Sequence, residues 1–242
     1  MPNTFGVNYT FKNAVDEILQ KVNDADGDVY FTRAKKLVFE GINMLISTGD
    51  YIEEDIPYLI KESVVDLDQP TLVWTPPIES DGSASALGGG QLLKILGLTS
   101  STNFMNQEEA PIPIYTWRKI DDDYLNKMRF DVSYKPLSDE IFYIINRVSP
   151  ESGYTNPGEG NIDPYLENRV SFSFFPEENI LSRLSVNIRY IKSPREDSWI
   201  YGNESGHTVS NSSIMSGYLS MPFIYKVINY AATEIKKQQA GE

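Results

Sequence analysis

The feature that most restricts the fold of this chain is a change of apolar period along it: three and four near either end, two in the middle. Phe11, Ala14, Val15, Ile18, Leu19 and Val22 fall on one face of a helix, with Lys12, Asp16, Glu17 and Lys21 opposite. A polar turn at 23–28 follows. Phe31, Ala34, Leu37, Val38, Ile42, Leu45 and Ile46 then resume the helical period as far as Gly49, a natural left-handed stop. Far along the chain, Phe223, Ile224, Val227, Ile228, Ala231 and Ile235 form a third stripe. Ser220 caps it, Pro222 suits its first turn, and Lys236 and Lys237 lie at the favourable end of its dipole.

The middle follows strand rules. Short β-rich runs at 63–67 and 71–74 are separated by Gln69-Pro70, and Pro76-Pro77 ends the second. A buried strand is expected at 92–98 and another strand at 112–117. Alternation is clearest in three sets: Phe130, Val132 and Tyr134; Val170, Phe172 and Phe174; and Leu184, Val186, Ile188 and Tyr190. Each set implies one buried and one wet face, as in an antiparallel sheet. Residues 141–148 are more continuously apolar and fit a central strand, and Pro176-Glu177-Glu178-Asn179 predicts a hairpin between the last two alternating strands.

The fold class expected is therefore α+β: a helical body from an N-terminal helix pair and a C-terminal helix, with a mainly antiparallel β subdomain and long loops between. The expected division is a helical part at 1–60, a β-rich subdomain at 61–218, and a helix at 219–242 that packs on the first part. Residues 79–91, with Gly88-Gly89-Gly90, predict a loop. Two more loops, at 150–168 and 193–217, are candidate contact surfaces, because compact domains seldom carry such lengths idly.

Composition narrows the function classes. With 242 residues and 40% hydrophobic content the chain supports a sizeable core, and one body with subdomains is expected. Cysteine is absent, which excludes disulfides, thiolate zinc sites and cysteine nucleophiles. A formal net charge of -13 argues against broad attraction to a phosphate backbone. No apolar run reaches the roughly 18 residues of a membrane helix, and the first residues lack the order of a signal peptide. Synthesis and use without export or membrane are expected.

Sites of chemistry are hard to build from these residues. Asp24, Asp26, Gly27 and Asp28 resemble half of a calcium loop, yet that register puts Val22 at the first ligand position and Arg33 at the place of the bidentate Glu. A plain inter-helix turn, with Asp28 near the second helix's N-terminus, fits better. Asp121-Asp122-Asp123 is expected to be a solvated loop, with no metal assigned. His207 is the sole histidine and sits in a Ser- and Asn-rich loop, so no triad or histidine-based zinc site is expected. Gly88-Gly89-Gly90 lacks the GK[ST] ending of a phosphate loop. No catalytic residue and no cofactor is assigned, and the chain is not expected to be an enzyme.

Trp74, Trp117, Tyr115, Phe172 and Phe174 lie on expected strands and suit a core or interface before a carbohydrate platform. Trp199, Ile200 and Tyr201 interrupt a polar loop, where they cover a core edge or dock into a partner. The candidate partner-binding residues are Trp199, Ile200 and Tyr201 in that loop and Phe223, Tyr225 and Tyr230 on the closing helix.

The order of elements carries a resemblance. A short helix is followed by a longer one at 34–48, the stretch Asp55-Ile56-Pro57-Tyr58-Leu59-Ile60, and a β-rich middle with Leu93-Lys94-Ile95-Leu96-Gly97-Leu98-Thr99. Then come Val186-Asn187-Ile188-Arg189-Tyr190-Ile191, Ser193-Pro194, and a helix at 223–236. Most of the chain in this order resembles the head-to-tail connector (adaptor or ring) proteins of short-tailed bacteriophages, and its Asn- and Ile-rich flavour is similar to connector rings of crAss-like phages. The resemblance implies a homo-oligomeric ring, often twelve-fold, in the neck of the virion and assembled in the host cytoplasm. Its partners would be the portal protein and a further tail or ring protein, with genome DNA passing through the lumen without specific binding. A reading from another class is a carbohydrate-binding or glycan-processing β module, using exposed aromatics and a carboxylate pair. A generic interaction domain is a third.

Overall fold

The computed structural model describes residues 8–24, 27, 29–77, 92–100, 115–147, 169–176, 184–194 and 214–241. The loops expected at 79–91 and 150–168, and positions 195–213 of the third, lie outside these residues. The chain divides into two compact units, one of segments 1–61, 89–94 and 191–242, the other of 62–88 and 95–190.

The first unit is helical. α1 (Phe11–Lys21) starts at Thr10, whose hydroxyl accepts from the Asn13 amide at 3.2 Å while the Asn13 side chain accepts from the Thr10 amide at 2.9 Å. These reciprocal bonds satisfy donors that every helix start leaves open. Phe11, Ala14, Val15, Ile18, Leu19 and Val22 are all buried, as their spacing predicts. α2 (Phe31–Thr48) stops at Gly49, which takes the left-handed conformation with φ 79°. In the turn between them Asp24 supplies a carboxylate: its Oδ2 accepts from the Tyr30 amide at 2.8 Å. Asp28 itself lies outside the described residues.

α4 (Met221–Ala240) completes this unit. Ser220 accepts from the Phe223 amide, Pro222 occupies the first turn, and Phe223, Ile224, Val227, Ile228, Ala231, Ala232 and Ile235 are buried. The helix packs along both α2 and α1. At the α2 crossing a Cβ on Gly41 would meet Tyr230 Cδ1 at 3.0 Å and Val227 Cγ1 at 3.3 Å. Glycine there lets the two backbones approach more closely than a side chain permits. Lys21 donates to Asn229 at 2.8 Å and Gln239 to the Val22 carbonyl at 3.1 Å, which fixes the pairing of α1 with α4.

The strands are β1 (Ile60–Leu67), β2 (Thr71–Trp74), β3 (Leu92–Ser100), β4 (Thr116–Lys119), β5 (Glu140–Arg147), β6 (Val170–Phe175) and β7 (Leu184–Lys192). One sheet has the order β1-β7-β3, the other β2-β6-β5-β4. In the second, β6 runs antiparallel to β2 and β5, with Ser173 opposite Thr71 and Ile144, while β4 is parallel to β5. β5 is interior, as expected, and Ile141, Phe142, Tyr143 and Ile144 are buried on both faces. The alternations of β6 and β7 also hold: Val170, Phe172, Phe174, Leu184, Val186, Ile188 and Tyr190 are buried. Within this unit Trp74 stands edge-on to Tyr190 at 5.0 Å and to Phe172 at 6.4 Å, so its indole joins the two sheets.

Four expectations need correction. β6 and β7 form no hairpin across 176–179, because they belong to different sheets. Alternation specifies which face a strand buries but not which strand it pairs with. Residues 92–98 are not a buried strand: β3 is at a sheet edge, and of its residues Leu98 alone is buried. The strand expected at 112–117 begins, within the described residues, only at Thr116. Most of all, 130–134 is not a strand. A further helix, α3 (Asp122–Phe130), ends there and is followed by a single 3-10 turn at Val132–Tyr134. Asp121 accepts from the Tyr124 amide at 2.7 Å, Asp122 and Asp123 lie at the positive end of the helix, and Lys127 and Arg129 at the negative end. The Asp121-Asp122-Asp123 run thus starts a helix and is not a solvated loop. Its inner residues Tyr124, Leu125 and Met128 pack on Ile120, Phe142 and Ile144.

Candidate functional site

Tyrosines gather where three short segments of the helical unit are tied together. The Tyr9 carbonyl accepts from the amides of Met215 and Ser216 at 2.9 and 3.1 Å, and its own amide donates to the Ser216 hydroxyl at 3.1 Å. That turn leads into Ser220, whose amide donates to the Asp55 carbonyl at 2.8 Å and whose hydroxyl donates to the Asp55 carboxylate. The first turn of α4, the 214–219 turn and the 52–59 segment are thereby held as one surface. Tyr225 meets Tyr9 edge-on at 6.3 Å, and Tyr58 meets Tyr218 edge-on at 5.9 Å. Tyr58, Tyr218 and Tyr225 are all exposed. Tyrosine offers a large amphipathic contact area with few rotatable bonds, which is why it is enriched at protein interfaces.

Beside this surface an open polar cavity of about 620 Å³ is lined by Tyr9, Asn13, Asp16, Glu17, Gln20 and Lys21. The Tyr9 hydroxyl donates to Glu17 Oε2 at 2.8 Å. Burial, then that hydrogen bond and the Glu17 charge, push the phenol well above its ordinary value. The folded state therefore keeps a proton that the unfolded chain releases near pH 10.0. Stability from this group is fully present below that pH and is lost as pH rises beyond it. Tyr9→Phe should be about 1 kcal/mol less stable at neutral pH. Urea unfolding between about pH 10 and 12 should show a flatter decline for the variant than for the parent. Parallel declines would mean that another group carries the alkaline sensitivity; Tyr143, also raised by burial, is the first to examine.

The candidate partner-binding residues are distributed differently from expectation. Tyr225 belongs to the tyrosine surface. Phe223 is 0% exposed and serves the core, and Tyr230 is half-buried against Gly41. Trp199, Ile200, Tyr201 and His207 lie outside the described residues. Trp74, Phe172 and Phe174 are core residues, while Trp117 is half-buried and donates to the Ser100 hydroxyl at 3.0 Å. Tyr9, Tyr58 and Tyr218 carry no sequence signal because each stands alone outside the helices and strands, without a period to mark it. Among the described residues no three His, Asp or Glu side chains are grouped as metal ligands, and no helix is long and apolar enough to cross a membrane.

No family model matches the chain, and no curated protein matches it.

Proposed function

We propose that this chain is a virion structural protein that forms a ring in the head-to-tail connector of a short-tailed phage, beneath the portal, and serves as a passive conduit for genome DNA. The observation that carries the reading is the tyrosine surface, assembled from segments far apart in sequence and including the 55–60 stretch on which the resemblance partly rests. Such a surface suits lasting contact with other proteins, because rigid aromatic area is gained at little conformational cost. The order of a helix pair, a β-rich middle and a closing helix supports the same reading. The net charge of -13, repeated around a ring, would repel phosphate and keep DNA from sticking.

Electron micrographs of native particles with a label on this chain test the proposal. Density in the neck is the expected result, and label elsewhere or absent from particles sinks it. An independent check is an anisotropy titration of duplex DNA at physiological salt. No binding is expected up to about 10 μM, above the tight end of the non-specific range.

A further inference from the structure

The two most exposed large apolar side chains among the described residues share one short segment, 130–137: Phe130 at 90% and Val132 at 78%, followed by Leu137 at 66%. The segment is well fastened. The Asp131 carboxylate accepts from the Ser133 amide at 2.9 Å and from its hydroxyl at 2.7 Å, and Glu140 accepts from the Leu137 amide at 3.0 Å. Tyr134 lies against Tyr124 at 5.3 Å. A backbone already fastened loses little further freedom when something covers its side chains.

Around Phe130 and Val132 the charge runs against that of the whole chain. Between 127 and 135, Lys127, Arg129 and Lys135 are exposed and Asp131 is the one acid, although the net charge is -13; Asp139 and Glu140 come only after Leu137. A surface of this kind attracts an apolar patch rimmed by acids. The helical unit carries such a patch: Ile52 at 61% and Tyr58 at 60% exposure flank Glu53 and Glu54, both exposed.

We infer that the 130–137 segment of one copy docks on the 52–58 surface of a second copy of this chain, with Phe130 and Val132 on Ile52 and Tyr58, and Lys127, Arg129 and Lys135 facing Glu53 and Glu54. The inference deepens the ring reading and rests on it. Because the two patches differ, the contact is head-to-tail, which closes into a ring or continues as a filament according to the rotation between copies.

The test uses two full-length variants followed by sedimentation. Phe130→Ser with Val132→Ser removes one patch, and Glu53→Lys with Glu54→Lys reverses the other. The parent is expected to associate at concentrations up to about 100 μM, where a micromolar contact is saturated. Each variant alone should lose association by at least about tenfold while keeping the folded circular dichroism spectrum of the parent, because all four positions are exposed. Mixed in equal amounts, the variants retain one good pair of patches and should stop at dimers.

Variants that assemble like the parent overturn the inference, as does a mixture that fails to pair. A parent that stays monomeric also overturns it while leaving the connector reading to the particle micrographs. In that case, a particle that fails to incorporate the Ser variant would assign the 130–137 patch to a different protein. Conversely, pairing in solution with no label in the neck keeps the docking surface and removes the connector.

Discussion

Ile228→Asp is expected to destabilise the protein by about 3–5 kcal/mol, the range for an unpaired charge forced into a packed seam. Ile228 is fully buried on the face that α4 turns toward its helical neighbours, and carboxylate solvation is unavailable there. Ile228→Val keeps the seam apolar and should cost only about 0.5–1.5 kcal/mol. Thermal and urea unfolding of the pair measure both numbers. An Asp variant close to the parent would mean that α4 does not pack as described.

Trp74→Ala should cost about 3–5 kcal/mol, because a large buried ring is lost and the cavity collapses only in part. The position is 5% exposed, and the indole is edge-on to Tyr190 of one sheet and Phe172 of the other. Edge-to-face pairs add roughly 0.5–1.5 kcal/mol each beyond area burial. Trp74→Phe keeps part of that contact and should lose clearly less. The near-ultraviolet circular dichroism of the β unit should weaken in parallel with stability. A loss under about 1 kcal/mol for the Ala variant would show that the sheets hold together without this ring.

The helical unit was legible because each stripe is long enough for its period to be unmistakable, and because Gly49, Ser220 and Pro222 mark its ends with chemistry specific to helix termini. β6 and β7 were legible as strands for the same reason, since alternation reports burial directly. Pairing was not. β6 takes its neighbours from positions near 71–74 and 140–147, a choice set by tertiary packing and not by local pattern. At 130–134 the alternation of Phe130, Val132 and Tyr134 misled because two of the three are exposed. The stronger signal there was the acid-first, base-last order from Asp121 to Arg129, with Tyr124, Leu125 and Met128 spaced for one helix face. The tyrosine surface was least legible of all. Its members come from positions 9, 58, 218 and 225, and only hydrogen bonds between segments distant in sequence bring them together.

The union of α1 with α4 has a consequence in time. Lys21 and Asn229, which bond across that seam, are 208 positions apart. At about 5–20 residues per second, α1 leaves the ribosome roughly 10–40 s before its partner does. During that interval Phe11, Val15, Ile18 and Leu19 have no α4 to cover them, and closing the seam must draw together points separated by most of the chain. Newly made copies at high local density therefore pass through a stage in which the α4 of one chain and the α1–α2 pair of another are as near as their own partners. Slow or crowded synthesis should favour chains that exchange α4, and sparse expression should favour chains that close on themselves.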